Sequence, residues 1–233
     1  MSLVIITGAS RGIGAAIARA FSKTKQHRLC LVARNEKLLQ DLKKECSDAG
    51  TPTEYFCCEM RNNDEVISTA QKILQQCGTP RVIVNNSGFY DAGSLLTTTP
   101  EHLQEMMQIN CLAPVNFTRV FLPSMIEQKA GDIFCMGSVA SIQGYNDCGA
   151  YTIAKHALLG YSRALREETK AHHLRVTCLM PGGVYTDSWS GTNIDSERLM
   201  KTEDVANTIV AIQQLSQQTV VEEIILRPQL GDV

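Results

Sequence analysis

The sequence predicts a single α/β domain built around a parallel sheet, and two observations lead to this prediction. Strand-like and helix-like patterns alternate along almost all of the 233 residues, with short gaps between them. The first apolar run, residues 3–6, is followed at once by a glycine-rich turn over residues 7–14 and by an alanine-rich helical pattern over residues 15–21. Alternation of this kind implies parallel strands joined by crossover helices.

Seven strands are predicted from short apolar runs bounded by turn residues or helical patterns. They cover residues 3–7, 28–33, 53–58, 81–85, 132–136, 174–180 and 221–227. Beyond the helix that follows the glycine-rich turn, a period of 3.6 residues predicts helices over residues 36–48, 63–76, 100–128, 151–172 and 203–214. Ligands of such open sheets bind beyond the carboxyl ends of the strands, so functional side chains are expected at that edge.

Composition and charge exclude several classes of function. The net charge is -2, and no basic run or aromatic-basic stripe of the kind that binds nucleic acid is present. No apolar stretch reaches the ~18 residues of a membrane-spanning helix. Because Met1 leads almost directly into the first strand, there is no room for a signal peptide. We therefore expect a cytoplasmic protein that binds neither nucleic acid nor membranes.

The nine cysteines do not have the spacing of a metal site or of a disulfide framework. No Cys-x2-Cys pair and no paired Cys/His ligand set occurs in the sequence. Cys30, Cys57, Cys135 and Cys178 fall in apolar, strand-like runs, where we expect buried, reduced thiols. The sequence therefore predicts no metal.

The glycine-rich turn is the first candidate binding site. Gly8, Gly12 and Gly14 remove side chains where a tight turn would bring backbone N–H groups against a diphosphate. The helix that follows would point its positive N-terminal end at the same charge. The order strand, glycine turn, helix therefore predicts a dinucleotide site.

Tyr151 and Lys155 form the second candidate site. Side chains four residues apart on a helix project from one face, so the phenol and the ammonium are expected to be neighbours. A fixed cation stabilises a phenolate, and we therefore expect Lys155 to lower the pKa of Tyr151 from about 10 toward neutral pH. Such a tyrosine can exchange a proton with a substrate oxygen.

The end of the second strand indicates which dinucleotide is bound. Sites that prefer NAD place a carboxylate there for the ribose hydroxyls, whereas NADP sites need cations for the 2′-phosphate. This strand ends in Ala33-Arg34-Asn35 without an acid, and Arg11 in the glycine-rich turn is a second cation. We therefore predict that the cofactor is NADP(H). Alternatively, Arg34 could be a solvent-exposed residue at the start of a helix without a role in binding.

Six ordered motifs together resemble the short-chain dehydrogenase/reductase family. They span almost the whole chain and are Thr7-Gly8-x3-Gly12-x-Gly14, Asn85-Asn86-Ser87-Gly88, Asn110, Ser138, Tyr151-x3-Lys155 and Pro181-Gly182-Gly183-Val184-Tyr185-Thr186. The resemblance implies a three-layer, doubly wound Rossmann fold with strand order 3-2-1-4-5-6-7 and, commonly, a homo-oligomer such as a dimer or tetramer. It also implies an enzyme that transfers hydride between NADP(H) and a small carbonyl or alcohol.

The resemblance implies roles in catalysis for four residues. Tyr151 would be the general acid in carbonyl reduction, and Ser138 would hold the same oxygen as charge develops on it. Lys155 would hold the nicotinamide ribose, and Asn110 would anchor a water that links Lys155 to solvent. Two alternatives are open: Ser141 could be the working hydroxyl, and Asn110 could only cap or kink its helix.

The resemblance also places the cofactor against residues at the strand ends. The set comprises Gly8, Ser10, Arg11, Gly12, Ile13, Gly14, Arg34, Glu59, Asn86, Ser87, Gly88, Tyr151, Lys155, Pro181, Gly182, Val184 and Thr186. The chain departs from the family pattern where Glu59-Met60 stands in place of Asp-Val and where Ser87 stands in place of Ala. A contact between Glu59 and the adenine is therefore left open.

A short cover over the substrate is predicted at about residues 187–201. Trp189, the only tryptophan, could stack on a flat substrate ring or pack the cover down. Ser138 and Tyr151 are expected to touch the substrate as well.

Two stretches, residues 181–189 and 219–228, resemble bacterial members of the family of the sepiapterin reductase type. Such enzymes reduce a pterin side-chain carbonyl with NADPH, and Asp187 or Asp232 could supply a carboxylate for the ring. A 3-oxoacyl-[acyl-carrier-protein] reductase is the main alternative, and it would need a basic docking patch. Basic residues that could contribute are Arg119, Lys129, Arg163 and Arg166. A catalytically silent NADP(H)-binding protein is a further alternative, but it would not need the four catalytic residues.

Overall fold

Seven parallel strands form one sheet in the computed structural model, which describes residues 1–189 and 194–232. The strands are β1 (Ser2–Thr7), β2 (His27–Ala33), β3 (Thr53–Cys57), β4 (Val82–Asn85), β5 (Gly131–Met136), β6 (Leu174–Pro181) and β7 (Glu223–Leu226). Their order across the sheet is β3-β2-β1-β4-β5-β6-β7, and all neighbours pair in parallel. The predicted fold class and strand order are confirmed.

Helices cover both faces of this sheet. They are α1 (Gly12–Thr24), α2 (Glu36–Asp48), α3 (Asn63–Cys77), α4 (Pro100–Met107), α5 (Ala113–Gln128), α6 (Gly149–Thr169) and α7 (Thr202–Gln213). Alternate side chains of a strand point to opposite faces. Val4 and Ile6 accordingly share a core with α1, α2 and α7, whereas Leu3 and Ile5 share one with α3, α5 and α6. Because both faces are covered, the inner strands are mostly apolar. Asp132 on β5 and Arg175 on β6 are buried as an ion pair, with Nε of Arg175 2.6 Å from Oδ1 of Asp132.

The helix predicted over residues 100–128 contains one irregular turn. It runs as α4, a π-helical turn over Gln108–Leu112, and α5. Pro114 explains this turn, because proline has no N–H for the carbonyl of Asn110 and its ring would clash with that carbonyl. The helix widens instead, and the N–H of Ala113 donates to the carbonyl of Gln108. Asn110 therefore lies where the helix departs from its regular hydrogen bonding.

One expectation about the cysteines is wrong. Cys57 is exposed, whereas Cys30, Cys135 and Cys178 are buried. The difference arises because β3 is the edge strand of the sheet, and part of an edge strand faces solvent even when its sequence is apolar.

Element boundaries differ from the predictions by a few residues at most. The long helix begins at Gly149 rather than at Tyr151 and ends at Thr169, followed by a 3-10 turn over Lys170–His172. Within residues 1–189 and 194–232, no helix combines the length and apolar character needed to cross a membrane.

Candidate active site

The predicted functional residues meet at the carboxyl ends of the strands, in two adjoining depressions. One, the glycine-turn cleft, is lined by the turn after β1 and by the residues that follow β2 and β3. The other, the tyrosine pocket, is lined by Ser138, Tyr151 and Lys155 and by the segment after β6. Asn86 and Gly88 line both depressions, so molecules bound in the two would lie against each other.

Nearly every residue predicted to contact a dinucleotide lines one of these depressions. Those of the glycine-turn cleft are Gly8, Ser10, Arg11, Gly12, Ile13, Arg34, Glu59, Asn86, Ser87, Gly88 and Thr186. Those of the tyrosine pocket are Tyr151, Lys155, Pro181, Gly182 and Val184. Gly14 lies behind the turn, where it allows close packing.

The glycine-rich turn depends on an approach that only glycine permits. A Cβ on Gly14 would lie 2.2 Å from the carbonyl oxygen of Gly8, so α1 starts directly behind the turn. Gly8 has a φ of +65°, a region that side chains disfavour. The side-chain amide of Asn86 fixes this geometry by donating to the carbonyls of Thr7 (3.0 Å) and Gly8 (3.3 Å). The N-terminus of α1 is thereby held at the cleft, where an anion is favoured.

Two arginines lie at the rim of the cleft, each beside a carboxylate. Nη1 of Arg34 lies 3.3 Å from Oε2 of Glu59, and Nη1 of Arg11 lies 2.8 Å from Oδ2 of Asp187. The side chains of Arg34 and Arg11 are 58% and 65% exposed, so both remain accessible to an anion. Glu59 faces Arg34 in this arrangement, and its contact with an adenine stays a prediction.

Asn110 holds the loop that follows β4. Its side chain is fully buried, with Nδ2 donating to the Phe89 carbonyl (2.9 Å) and Oδ1 accepting from the Phe89 N–H (3.1 Å). The alternative that Asn110 merely kinks its helix is not supported, because Pro114 accounts for the widened turn. The role of Asn110 in anchoring a water stays a prediction.

Ser138 and Ser141 have different environments although both follow β5. Ser141 is fully buried, and its Oγ accepts from the Ser138 N–H (3.1 Å). Ser138 lines the tyrosine pocket, and its own Oγ accepts from the Ala140 N–H (3.1 Å). The geometry therefore favours Ser138 over Ser141 as the hydroxyl that meets a ligand.

Tyr151 has a raised pKa, which contradicts the expectation that Lys155 lowers it. Burial raises the pKa of Tyr151 to about 12, and the Ser138 hydroxyl offsets only part of the increase. Nζ of Lys155 lies over the Tyr151 ring, 5.5 Å from its centroid. The expectation is wrong because burial of the phenol disfavours the phenolate, and the group that counteracts burial is the Ser138 hydroxyl rather than Lys155. At neutral pH, Tyr151 therefore keeps its proton.

Lys155 is almost fully buried, and burial lowers its pKa to about 8. Its Nζ donates to the Met136 carbonyl at 2.9 Å. A Cβ on Gly88 would lie 3.4 Å from this Nζ and 3.1 Å from Oδ1 of Asn110. The side chains of Lys155 and Asn110 therefore reach one point beside the loop after β4. The ammonium of Lys155 places a positive charge between cleft and pocket at neutral pH.

The acids considered for substrate recognition lie in different depressions. Asp187 lines the glycine-turn cleft, whereas Asp232 lines the tyrosine pocket. Tyr145 donates to Oδ2 of Asp232 at 2.6 Å, and Arg227 pairs with the same oxygen. Burial raises the pKa of Asp232, but the hydrogen bonds from Tyr145 and Arg227 outweigh it and hold the pKa below its usual range. Asp232 is therefore ionised at neutral pH.

The predicted cover over residues 187–201 is described only in part. It contains 3-10 turns over Asp187–Trp189 and Ser196–Arg198, and residues 190–193 lie outside the described residues. Trp189 lines the tyrosine pocket. This position suits both predicted roles, stacking on a flat substrate ring and packing the cover down. The cover itself stays a prediction.

Sequence reasoning missed several residues of the tyrosine pocket. Tyr90 packs edge-to-face on Tyr151, with ring centroids 5.2 Å apart and an interplanar angle of 87°. Tyr145 and Cys148, which precede α6, line the same pocket. The only signal in the sequence is proximity to motifs, since Tyr90 closely follows Gly88. The described part of the chain has no group of three or more His, Cys, Asp or Glu side chains that could hold a metal ion.

Known proteins share this architecture along the whole chain. An alcohol dehydrogenase from the archaeon Thermococcus sibiricus, solved with 5-hydroxy-NADP, has a TM-score of 0.92 at 28% identity and covers 100% of this chain and 99% of its own. A metagenomic short-chain oxidoreductase solved with NADP has a TM-score of 0.86 at 30% identity. It covers 99% of this chain and 98% of its own.

Curated relatives match over similar lengths. Sepiapterin reductase of Chlorobaculum tepidum is 30% identical over 238 residues, which cover 99% of this chain and 98% of that protein. Human 3-oxoacyl-[acyl-carrier-protein] reductase is 30% identical over 212 residues, which cover 88% of each protein. The family model described as short chain dehydrogenase matches residues 2–197. With its fold, its motifs and these matches, the chain belongs to the short-chain dehydrogenase/reductase family.

Proposed function

We propose that the protein is an NADPH-dependent reductase that converts a carbonyl to an alcohol. The observation that carries the proposal is a half-buried tyrosine that keeps its proton, Tyr151, in one pocket with Ser138 and Lys155. This pocket adjoins the cleft formed by the glycine-rich turn. A proton donor is thereby held next to a dinucleotide-type site, which is the arrangement that carbonyl reduction requires.

The residues of the pocket have complementary tasks in this proposal. Tyr151 donates its phenolic proton to the carbonyl oxygen, and Ser138 hydrogen-bonds the same oxygen, so negative charge on it is stabilised as it develops. Lys155, charged below about pH 8, favours the phenolate that remains after proton transfer. Because Tyr151 rests in its protonated form at neutral pH, it can act as the general acid without being protonated first.

The glycine-turn cleft fits a dinucleotide with a phosphorylated ribose. The approach of Gly14 to Gly8 leaves the N-terminus of α1 open to a diphosphate, as a nucleotide-binding turn requires. Arg34 and Arg11 are exposed at the rim and could pair with a 2′-phosphate. Two similar structures are described with NADP or a derivative of it, which supports the choice. When bound, NADPH would supply the hydride.

Arg34→Ala is expected to weaken NADPH binding by about tenfold to a hundredfold, because a charge-assisted hydrogen bond to the phosphate is lost. NADH affinity should change little, since NADH lacks this phosphate. Both affinities can be measured by quenching of protein fluorescence. Arg19→Ala, which breaks a surface pair with Glu45 on α1 and α2, is the matched control and should leave both affinities unchanged. Equal losses for NADPH and NADH in Arg34→Ala would contradict the proposed phosphate contact.

For the substrate, we propose a planar heterocycle that carries the carbonyl on a side chain, such as a pterin. Asp232 supports this choice, because it is an ionised carboxylate in the pocket of Tyr151. Its Oδ1 is buried and has no hydrogen-bond partner among the residues that the structure describes, and an amino or amide N–H of such a ring would satisfy it. Tyr145 and Trp189 supply aromatic surface in the same pocket. The similarity to a bacterial sepiapterin reductase along the full chain points in the same direction.

Asp232→Asn should raise the KM for sepiapterin about tenfold, because a neutral amide binds the ring N–H groups less strongly than a carboxylate. The KM for diacetyl, a small diketone without a ring, should stay within twofold of the wild-type value. Asp195→Asn is the control, because Asp195 caps the 3-10 turn at Ser196–Arg198 and an asparagine keeps that cap. If Asp232→Asn raised the KM for sepiapterin and for diacetyl equally, the carboxylate would not recognise the ring.

A reductase of 3-oxoacyl thioesters on a carrier protein is the second candidate, supported by the similarity to the human enzyme. Its acidic carrier needs exposed cations, but two of the four candidates are already paired. Nε of Arg163 lies 2.6 Å from Glu223, and Nε of Arg166 lies 3.5 Å from Glu222. The Arg166 side chain is only 20% exposed, which weakens the case for docking at this part of α6, whereas Arg163 is 61% exposed and remains accessible to an anion. Oxidation of NADPH with an acetoacetyl thioester, but not with sepiapterin or diketones, would favour this candidate.

A binding protein without turnover is the third candidate. It predicts tight NADPH binding and no NADPH oxidation with any of these carbonyls, an outcome that would reject both enzyme candidates. Within the proposed function, a cytoplasmic location, a dimer or tetramer and a small-molecule partner without nucleic acid or membrane binding remain predictions.

A further inference from the structure

The loop after β4 is attached to the start of α6 at several points. The N–H of Gly93 donates to the carbonyl of Asp147 (2.7 Å), and Gly93 forms a parallel bridge with Cys148. Leu95 sits on Gly149, where a Cβ would lie 2.2 Å from the Cγ of Leu95. These contacts hold residues 89–95 against the helix that carries Tyr151.

Tyr90 is the residue of this loop that faces the catalytic tyrosine. Its ring stands at 87° to that of Tyr151, with centroids 5.2 Å apart, the edge-to-face geometry that aromatic pairs favour. Its hydroxyl lies 3.2 Å from Sγ of Cys148, so the ring is tied to the start of α6 at its far end. Tyr90 lines both the cleft and the pocket.

A ring fixed at both ends can hold its neighbour in one orientation. The hydroxyl of Tyr90 is anchored on Cys148, while the loop beyond it is anchored through Gly93 and Leu95. Tyr151 therefore cannot swing toward the loop without displacing a side chain that has other partners. Proton transfer depends steeply on the position of the donor, so an orienting contact of this kind affects the reaction itself.

We infer that Tyr90 is a positioning residue for Tyr151 and that residues 89–95 form a fixed wall of the carbonyl pocket. This inference rests on the proposed reductase function for its kinetic test but not for its structural one. The Tyr90 ring covers the side of Tyr151 that faces the loop, and it limits the width of substrates at that side. Tyr90 acts through Tyr151 and need not touch the reacting atoms.

The kinetic test compares three variants with NADPH and either sepiapterin or diacetyl. Tyr90→Ala should lower kcat about tenfold to a hundredfold, as expected when a catalytic group is misplaced by about 1 Å. Tyr90→Phe keeps the ring but loses the hydroxyl that anchors it on Cys148, so its kcat should lie between those of Tyr90→Ala and the wild type. Leu96→Ala is the matched control, since Leu96 lies in the same loop with a side chain that is 96% exposed, and it should behave as wild type.

NADPH affinity, measured by fluorescence quenching, should stay within about threefold of wild type in Tyr90→Ala, less than 1 kcal/mol in binding free energy. A loss of NADPH affinity as large as the loss of kcat would overturn the inference, because Tyr90 would then serve the cofactor. Wild-type kcat in Tyr90→Ala would overturn it as well. A kcat of Tyr90→Phe no higher than that of Tyr90→Ala would overturn the role of the ring.

The structural test needs no turnover. N-acetylimidazole acetylates accessible tyrosine hydroxyls, and the modified peptides can be quantified by mass spectrometry on the folded protein. Acetylation of Tyr151 should rise several-fold in Tyr90→Ala and stay at the wild-type level in Leu96→Ala. If the wild type reduces no carbonyl, the proposed function fails, and acetylation still decides the inference. Unchanged acetylation of Tyr151 in Tyr90→Ala would overturn it.

Discussion

Tyr151→Phe is expected to lower kcat/KM for carbonyl reduction at least a hundredfold, the lower end of the range for loss of a general acid. The substitution removes the transferable proton but leaves the ring that packs on Tyr90. NADPH affinity should stay close to wild type, because the cleft is built mainly from other residues. Steady-state kinetics and fluorescence titration on the same preparation measure both quantities.

Tyr55→Phe is the control for this variant. Tyr55 also loses a hydroxyl with hydrogen-bond partners, Gln40 and Glu36, but it lies on the edge strand β3, far along the sheet from β5. The activity of Tyr55→Phe should match that of the wild type. If Tyr151→Phe retained activity within tenfold, a loss of less than ~1.4 kcal/mol in transition-state stabilisation, Tyr151 would not be the proton donor.

The fold could be predicted almost completely from the sequence because its signals are local. Each buried parallel strand is a short apolar run, and each crossover helix has its own period. The irregular turn at Asn110 could have been anticipated from Pro114, since the loss of one N–H acts on the carbonyl four residues earlier. The predicted strand order already places the third strand at an edge, but its apolar sequence does not show that Cys57 faces solvent.

The candidate site divides into a part that spacing predicts and a part that only packing determines. Tyr151 and Lys155 could be placed together because they lie on one helical face, and the resemblance to the family adds Ser138 to them. The sign of the Tyr151 pKa shift could not be predicted, because it depends on how much protein covers the phenol. Tyr145 and Asp232 are 87 residues apart in sequence, and no pattern in the chain relates them.

Gly14→Ala is expected to lower NADPH affinity at least a hundredfold, an effect as large as that expected of Tyr151→Phe on kcat/KM. The new Cβ would lie 2.2 Å from the carbonyl oxygen of Gly8 and 2.6 Å from Nδ2 of Asn86. The nearest of these is a backbone atom, so α1 must move away from the turn. Loss of two charge-assisted hydrogen bonds to the diphosphate, each worth about 1.5–3 kcal/mol, corresponds to at least a hundredfold in affinity. Overpacking of this kind also costs about 1–3 kcal/mol of stability. Fluorescence titration and thermal denaturation measure the two losses.

Gly160→Ala separates the effect of position from the effect of the substitution. Gly160 lies in the helix α6, and a Cβ there would meet nothing within 4 Å. Since alanine is the better helix former by about 1 kcal/mol, this variant should be at least as stable as wild type and should bind NADPH normally. If Gly14→Ala bound NADPH as well as Gly160→Ala does, close contact between α1 and the turn would not be needed for the cofactor. Binding of the diphosphate would then not depend on the N-terminus of α1, and the loss of the 2′-phosphate contact in Arg34→Ala would be the more damaging change.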